Sequence, residues 1–519
     1  MPANPATLAE LVRDVARRNG SKPAIIFQDN EISYAALDAA IEQAANGLAA
    51  RGIGHGDRVG IMLPNLPQFI IAYQAVVRLG AVVVPINVLY KAEEIAYVLN
   101  DSEATALFVY EGFYASVAEA LPHVPSLTNV FFVGTGDAPD GTTPWSALTD
   151  GSAPERPPVA IGPDDLATIC YTSGTTGRSK GAMLSHRNFL ANCEQCERIP
   201  RFKAVEEDRI LLVLPLFHIY GMNVGMNAAL RIGATIVLIP RFEAGPVLDQ
   251  IQKHRCTLLL GAPPMYVAWV NYPQLTDYDL SSLRIAGSGA AALPVQILDA
   301  FRERTGAEIT EGYGLTEASP VSHTNAVGPF NKPGTIGLAI PGVDTRLVDE
   351  NDNDVPPGAE GEILLRGDNI MIGYWRNPEA TAEALRGDWF HTGDIATVDD
   401  DGYYTIVDRK KDMINAGGFK IWPREVEEVL YRHPAVQEAA VVAMPDAYTG
   451  ERPMAFVALK SGQSATADDL IAYCREHLAT FKAPRHIEFR PELPKLPTGK
   501  ILRRVLRDDA KNLATVSDI

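Results

Sequence analysis

Leu166-Ala-Thr-Ile-Cys-Tyr-Thr-Ser-Gly-Thr-Thr-Gly-Arg-Ser-Lys-Gly181 is an apolar run that opens into a loop of hydroxyls and glycines and closes on a lysine. Residues 166–170 have the composition of a buried strand. The loop that follows can wrap an oxyanion. Gly174 and Gly177 let backbone N–H groups approach phosphate oxygens, Thr172, Ser173, Thr175 and Thr176 add donors, and Lys180 brings a mobile positive charge. A Walker loop needs G-x-x-x-x-G-K followed by Ser or Thr. Here Arg178 and Ser179 separate Gly177 from Lys180, and Gly181 follows the lysine, which disfavours a P-loop NTPase. An ordinary flexible turn accounts for a few such residues in a row, but poorly for a run from 171 to 181.

Working outward, amphipathic helices alternate with short β-branched runs up to about residue 400, as in the expected helix 34–51 leading to the strand 58–62. Residues 80–85 (GAVVVP) and 234–240 (ATIVLIP) are continuous apolar runs bounded by Gly and Pro, as in strands buried on both faces. Residues 142–163, rich in Pro, Gly and Ser, read as a surface connection. Turns become frequent over 343–366 and 402–408, which suggests a β-rich lobe. A compact pattern follows: helix 424–432, strands 439–444 and 453–459, helix 467–478. The expected fold is α/β. A large N-terminal domain (1–408) of packed parallel-type sheets with helices carries a β-rich lobe, a charged hinge spans 409–412, and a small mobile α+β domain spans 413–519.

The chain has 519 residues, too many for one ordinary core. Its net charge of −18 argues against non-specific nucleic-acid binding, which needs an excess of cations. The most apolar stretch, 211–240, is interrupted by Pro215, His218 and Arg231, short of the roughly 20 apolar residues of a membrane helix, and reads as buried strands and a helix. Five cysteines and no basic-then-apolar leader point to the cytoplasm. Cys193 and Cys196 form a lone C-x-x-C without partners at ligand spacing, and so read as structural residues on a helix.

Other motifs carry chemistry. In Glu311-Gly-Tyr-Gly-Leu-Thr-Glu317, Tyr313 offers a face for a purine, and Thr316 and Glu317 offer the hard oxygens that Mg²⁺ takes beside phosphates. Leu283-Arg-Ile-Ala-Gly-Ser-Gly-Ala-Ala-Ala292 imitates a dinucleotide fingerprint but lacks an opening βαβ unit and a suitably placed acid. Trp389-Phe-His-Thr-Gly-Asp394 ends on a carboxylate able to take both hydroxyls of a ribose, with Arg409 following across an expected hairpin. A surface ion pair is the ordinary alternative there. Leu493-Pro-Lys-Leu-Pro-Thr-Gly-Lys500 puts a lysine at the tip of a Pro/Gly turn before an expected helix 501–508. Such a cation can bridge a carboxylate and the α-phosphate it attacks.

The loop 171–181 and the Y-G-x-T-E block resemble the signature of the adenylate-forming superfamily: acyl-CoA synthetases, firefly luciferase and peptide-synthetase adenylation domains. The likeness extends over essentially the whole chain, with the blocks in the family's order. Ser179 replaces the usual proline before Lys180 and removes no donor. The resemblance implies an AMP-forming acid–thiol ligase using ATP, coenzyme A and Mg²⁺. It implies Lys500, Thr316, Glu317 and His218 in catalysis, with Thr316 and Glu317 at the metal. It implies Thr172, Ser173, Gly174, Thr175, Thr176, Gly177, Lys180, Gly289, Ala290, Glu311, Gly312, Tyr313, Gly314, Asp394 and Arg409 around the nucleotide. It further implies Lys411 as the hinge residue, Gly417, Gly418 and Lys420 toward coenzyme A, and Tyr220, Val224, Met265 and Gly287 around the acyl group.

That pocket is apolar or small and shows no counter-charge, so a medium- or long-chain fatty acid is expected. The alternatives are an aryl-propenoic acid, since Phe217-His-Ile-Tyr220 also resembles coumarate ligases, or an acyl group loaded on a carrier protein. A luciferase-like oxidase and an inactive nucleotide sensor are further readings. A homodimer is left open, and neither nucleic-acid binding nor a transmembrane segment is expected.

Overall fold

The computed structural model describes residues 5–151, 153–172, 179–417, 419–446, 449–496 and 499–517. The chain divides into two compact units. One comprises Met1–Asn331, Gly337–Asp344 and Leu365–Phe390, and the other comprises Lys332–Ile336, Thr345–Leu364 and His391–Ile519.

The first unit is α/β and contains two large sheets. One runs in the order Leu338–Ala339, Val321–Thr324, Ile309–Gly314, Ile285–Ser288, Leu258–Gly261, Arg209–Leu212, Thr235–Leu238, Pro23–Phe27, Asn30–Ser33. Its interior is parallel from Ile309–Gly314 to Pro23–Phe27, and both edges are closed by antiparallel strands. The other has eight strands in the order Gly373–Tyr374, Lys180–Ser185, Leu166–Thr172, Val82–Pro85, Arg58–Met62, Ala106–Tyr110, Asn129–Val133, Thr143–Pro144. The sheets are therefore mixed: parallel pairing fills the interior of both and reaches one edge of the second, where Thr143–Pro144 pairs parallel with Asn129–Val133. Interior strands such as Val82–Pro85 and Leu258–Gly261 are buried throughout, as their unbroken apolar runs require. Helix Pro67–Arg78 is buried along almost its whole length, which explains why it is apolar on every side.

Two segments depart from the sequence reading. Residues 142–163 are not simply a connection, because Thr143–Pro144 pairs with Asn129–Val133 and Ser146–Thr149 forms a helical turn. Within 211–240, Tyr220–Asn227 is a π-helix rather than an α-helix, and it runs on into Ala228–Ile232. Gly221 and Gly225 permit its close seating, since a Cβ at Gly221 would stand 2.4 Å from the Pro215 carbonyl oxygen and one at Gly225 2.4 Å from Leu212 Cδ1.

In the second unit Ile414–Ala416, Phe419–Ile421, Val436–Asp446, Gly450–Leu459 and His486–Phe489 form one sheet. Strand alternation feeds two cores. Ala439 and Val441 pack with Val426 and Leu430 of helix Pro423–Arg432 and with Leu470 and Cys474 of helix Ala467–His477. Ala440, Val442 and Met444 pack with Leu506 and Ala510 of helix Arg503–Ser517. This last helix begins later than the expected 501–508 and runs further. Among the described residues, no helix is long and apolar enough to cross a membrane.

Candidate active site

Two paired strands flank the glycine- and hydroxyl-rich segment. Leu166–Thr172 pairs antiparallel with Lys180–Ser185, and Thr172 stands opposite Lys180. Ser173, Gly174, Thr175, Thr176 and Gly177 lie outside the described residues. The base of the loop is firmly set. The Tyr171 hydroxyl donates to Asp101 Oδ2 at 2.6 Å and the Tyr97 hydroxyl to the Ser179 carbonyl at 2.7 Å. A Cβ at Gly181 would meet Ile169 Cγ2 at 2.6 Å, so only glycine fits there.

Lys180 lies over the ring of Tyr374, its Nζ 5.2 Å from the ring centroid. The Tyr374 hydroxyl donates to Glu317 Oε1 at 2.8 Å. Burial, and then the Glu317 charge, push the Tyr374 phenol up, so it keeps its proton and remains a donor. Met371 N–H fixes the Glu317 backbone by donating to its carbonyl at 2.8 Å. One tyrosine thus joins the loop lysine to the acid of the Y-G-L-T-E block. No motif marks Tyr374 in the sequence; its signal is positional, on the strand Gly373–Tyr374 that pairs with Lys180–Ser185.

Glu311, Gly312, Tyr313 and Gly314 form the end of strand Ile309–Gly314, and Thr316 and Glu317 open the turn Thr316–Ala318. Gly287 pairs with Thr310 and Ser288 with Glu311 in register, which sets Gly289 and Ala290 beside this block. A Cβ at Gly289 would reach within 3.7 Å of the Gly312 carbonyl oxygen. Glu311 Oε1 accepts the Leu293 N–H at 3.2 Å. Ala290 has φ +71, an uncommon conformation for a residue with a side chain. A Cβ at Gly314 would stand 2.2 Å from the Pro320 carbonyl oxygen, so that position too admits only glycine.

Tyr220 lies against the same strand end. A Cβ at Gly287 would lie 3.5 Å from its hydroxyl, and one at Gly289 would lie 3.2 Å from its ring. Val224 follows on the π-helix and Met265 lies on helix Pro263–Val270, both buried. His218 Nδ1 accepts the Tyr220 N–H at 3.3 Å, which places the imidazole proton on Nε2 as a donor. The Cys193 and Cys196 thiols are buried on helix His186–Glu197, and Cys193 donates to Asn223 Oδ1 at 3.4 Å. Burial raises both thiols, Cys196 to about 12.

The second unit gathers the remaining polar residues. Asp394 and Arg409 face one another across the antiparallel strands Trp389–Val398 and Tyr404–Arg409, with Arg409 Nε 3.1 Å from Asp394 Oδ1. Asp394 is only 7% exposed at its side chain, unlike an ordinary surface pair. Glu362, also buried, accepts the Gly393 N–H at 3.0 Å and lies 3.3 Å from Lys410 Nζ, which holds the turn before Asp394. Lys500 shares this charge environment. The Arg409 charge and then burial lower its ammonium to about 7, with Lys411 and Arg503 acting in the same sense and Asp394 against them. Lys411 itself is lowered to about 8, by burial and then by Arg409.

The turn Lys410–Asp412 joins Tyr404–Arg409 to Ile414–Ala416. Gly417 has φ +62, Lys420 is an exposed lysine 3.7 Å from Glu350, and Gly418 lies outside the described residues.

Residues 12–375 match the AMP-binding enzyme family, and residues 425–500 match the AMP-binding enzyme C-terminal domain. A long-chain-fatty-acid–CoA ligase of Bacillus subtilis (strain 168) is 38% identical over 538 residues, covering 99% of this chain and 96% of that protein. A feruloyl-CoA synthase of an Amycolatopsis species is 37% identical over 493 residues, covering 95% and 96%. The crystal structure of the anthranilate CoA ligase AuaEII with anthranoyl-AMP superposes with a TM-score of 0.91 at 31% identity, covering 98% of this chain and 99% of that one. With its fold and motif order in agreement over nearly its full length, the chain belongs to the AMP-binding enzyme family. It is an adenylate-forming carboxylate–CoA ligase, which makes an acyl-AMP from ATP and an acid and then passes the acyl group to coenzyme A.

Proposed function

We propose that the acid is a medium- or long-chain fatty acid. The observation that carries this reading is the character of the surface around Tyr220. Gly287, Gly289, Val224 and Met265 are small or apolar and present no charge to a polar substrate tail. The long-chain ligase of Bacillus subtilis points the same way. An aryl-propenoic acid is the second reading, favoured by the feruloyl-CoA synthase of Amycolatopsis, because a flat ring also suits a wall of glycines.

In the first half-reaction the acid carboxylate attacks the α-phosphorus of ATP and pyrophosphate leaves. His218 Nε2–H orients the carboxylate, Lys180 and the loop hydroxyls hold the polyphosphate, and Asp394 takes the ribose hydroxyls with Arg409 beside it. The role proposed for Lys500, in its ammonium form, is to stabilise the charge shared by the two anions in the transition state. Glu317 and Thr316 suit a hard divalent cation. Glu317 Oε1 is oriented by Tyr374, and Mg²⁺ ordinarily takes one or two protein oxygens beside phosphates. Bound there, Mg²⁺ would neutralise phosphate charge.

In the second half-reaction the coenzyme A thiolate attacks the acyl carbonyl and AMP leaves. Lys411 is the proposed hinge for this step, and Gly417, Gly418 and Lys420 are the proposed residues toward coenzyme A.

The test is pyrophosphate release with ATP, Mg²⁺ and coenzyme A, across acids from acetate to palmitate plus coumarate, for the natural protein and Lys500→Ala. Turnover that peaks on octanoate to palmitate and collapses in the variant is expected. Acetate turned over faster than octanoate would refute the fatty-acid assignment.

A further inference from the structure

Arg503, the first residue of helix Arg503–Ser517, ties together three parts of the second unit. Its Nη2 donates to Glu427 Oε2 at 2.5 Å and its Nη1 to Asp408 Oδ1 at 3.3 Å, with Asp412 Oδ2 3.8 Å away. Asp408 and Glu427 are buried, and their remaining bonds are to backbone. Asp408 accepts the N–H groups of Arg409 at 2.7 Å and Arg424 at 2.9 Å, and Glu427 accepts that of Val441 at 2.7 Å. The guanidinium therefore joins strand Tyr404–Arg409 to helix Pro423–Arg432 and to the start of its own helix. Arg507, farther along that helix, reaches Asp412 at 2.9 Å.

On its other side Lys500 is pinned through the backbone. Its carbonyl accepts the Leu496 N–H at 2.8 Å, and Lys495 bridges to Ile501. Asp408 is the chain neighbour of Arg409, so the bond from Arg503 to Asp408 ties the segment that carries Lys500 to the strand that carries Arg409.

We propose that Arg503 is a positioning residue for the adenylation half-reaction: by joining Asp408 to Glu427, it sets the Lys500 ammonium against Asp394 and Arg409. This rests on Lys500 being the cation of that half-reaction. Only a planar fork reaches both carboxylates, so lysine cannot replace it in full. Arg503 also contributes charge. The groups facing Lys500 are Arg409, Asp394, Lys411 and Arg503, and three of the four are cations that favour its neutral form.

The experiment compares the full-length protein with Arg503→Lys and Arg503→Gln in three assays. These are ATP–pyrophosphate exchange against pH, single-turnover acyl transfer to coenzyme A from supplied acyl-adenylate, and thermal unfolding. In both variants kcat for exchange is expected to fall at least about tenfold, the effect of misplacing a catalytic group by a fraction of an ångström. The KM for ATP and for acid, and the acyl-transfer rate, should change far less. In Arg503→Gln, which removes a positive charge facing Lys500, the alkaline limb of the exchange profile should move to higher pH. In Arg503→Lys, which keeps the charge, it should stay in place.

Exchange and acyl transfer falling together in step with lost stability, or an alkaline limb that does not move in Arg503→Gln, would overturn the proposal. Should Arg503→Gln not fold, the split between half-reactions in Arg503→Lys decides alone. Lys500→Ala measured in parallel separates the two claims, because exchange that survives that change refutes the lysine's role and not the geometry of the clamp.

Discussion

Replacing Tyr374 by Phe removes one oxygen and keeps the ring that Lys180 overlies. The lost bond is the 2.8 Å hydrogen bond from the phenol to Glu317 Oε1. Glu317 is buried, so water replaces the donor poorly, and a hydrogen bond to a charged group under such conditions contributes about 1.5–3 kcal/mol. If that energy holds Glu317 in its working orientation, kcat/KM for adenylation should fall about 10- to 150-fold. The assay is ATP–pyrophosphate exchange as a function of Mg²⁺. The loss should be largest at low Mg²⁺ and partly recovered as Mg²⁺ rises, because a carboxylate that is merely misoriented can still be captured by mass action. The thermal midpoint should fall by no more than a few degrees, because a loss of this size is small against the unfolding entropy of so large a unit. Wild-type exchange at every Mg²⁺ concentration would refute the reasoning, as would a loss independent of Mg²⁺.

Two further outcomes follow from distances already given. Asp394→Asn removes the anion that supports the Lys500 ammonium against Arg409 and Lys411, so the alkaline limb of the kcat/KM profile for adenylation should move to lower pH, with about a tenfold rise in KM for ATP. An unmoved limb in titrations of the variant would show that Lys500 does not control it. Gly289→Ala places a methyl 3.2 Å from the Tyr220 ring, and the overpacking, about 1–3 kcal/mol in a tight site, should raise the KM for the acid more than that for ATP. Equal changes in both would argue that Tyr220 does not border the acyl group.

The parts of the fold that were legible in the sequence were those with local causes. Apart from Arg58 and Thr235 at their starts, Arg58–Met62, Val82–Pro85 and Thr235–Leu238 are apolar runs, and the hairpin that sets Asp394 opposite Arg409 was expected from their spacing. The π-helix Tyr220–Asn227 was not legible, because its apolar residues suit an α-helix equally well and its glycines matter only once Pro215 and Leu212 lie beneath them.

Tyr374 was missed for a related reason. It reaches Glu317 from 57 residues away, on a strand of two residues that carries no period. Nothing in the sequence singles Arg503 out from the other basic residues of the last helix, since the buried partners that distinguish it, Asp408 and Glu427, become neighbours only through the sheet and helices of the second unit. The short strand Thr143–Pro144 was hidden by composition, as an edge position tolerates the proline that an interior strand excludes.

The π-helix bears on how the acid specificity of such a chain can diverge. A π-turn is an α-turn that has absorbed one surplus residue, so one codon lost between Gly221 and Asn227 would restore ordinary winding and re-aim the side chains of that turn while the flanking helix keeps its course. A loss among residues 221–223 would leave Tyr220 and Val224 three positions apart instead of four, still on one face but displaced along it, although neither residue had been substituted. The wall of the proposed acyl site can thus be redrawn by a change in length, and comparisons that count only substitutions would overlook it.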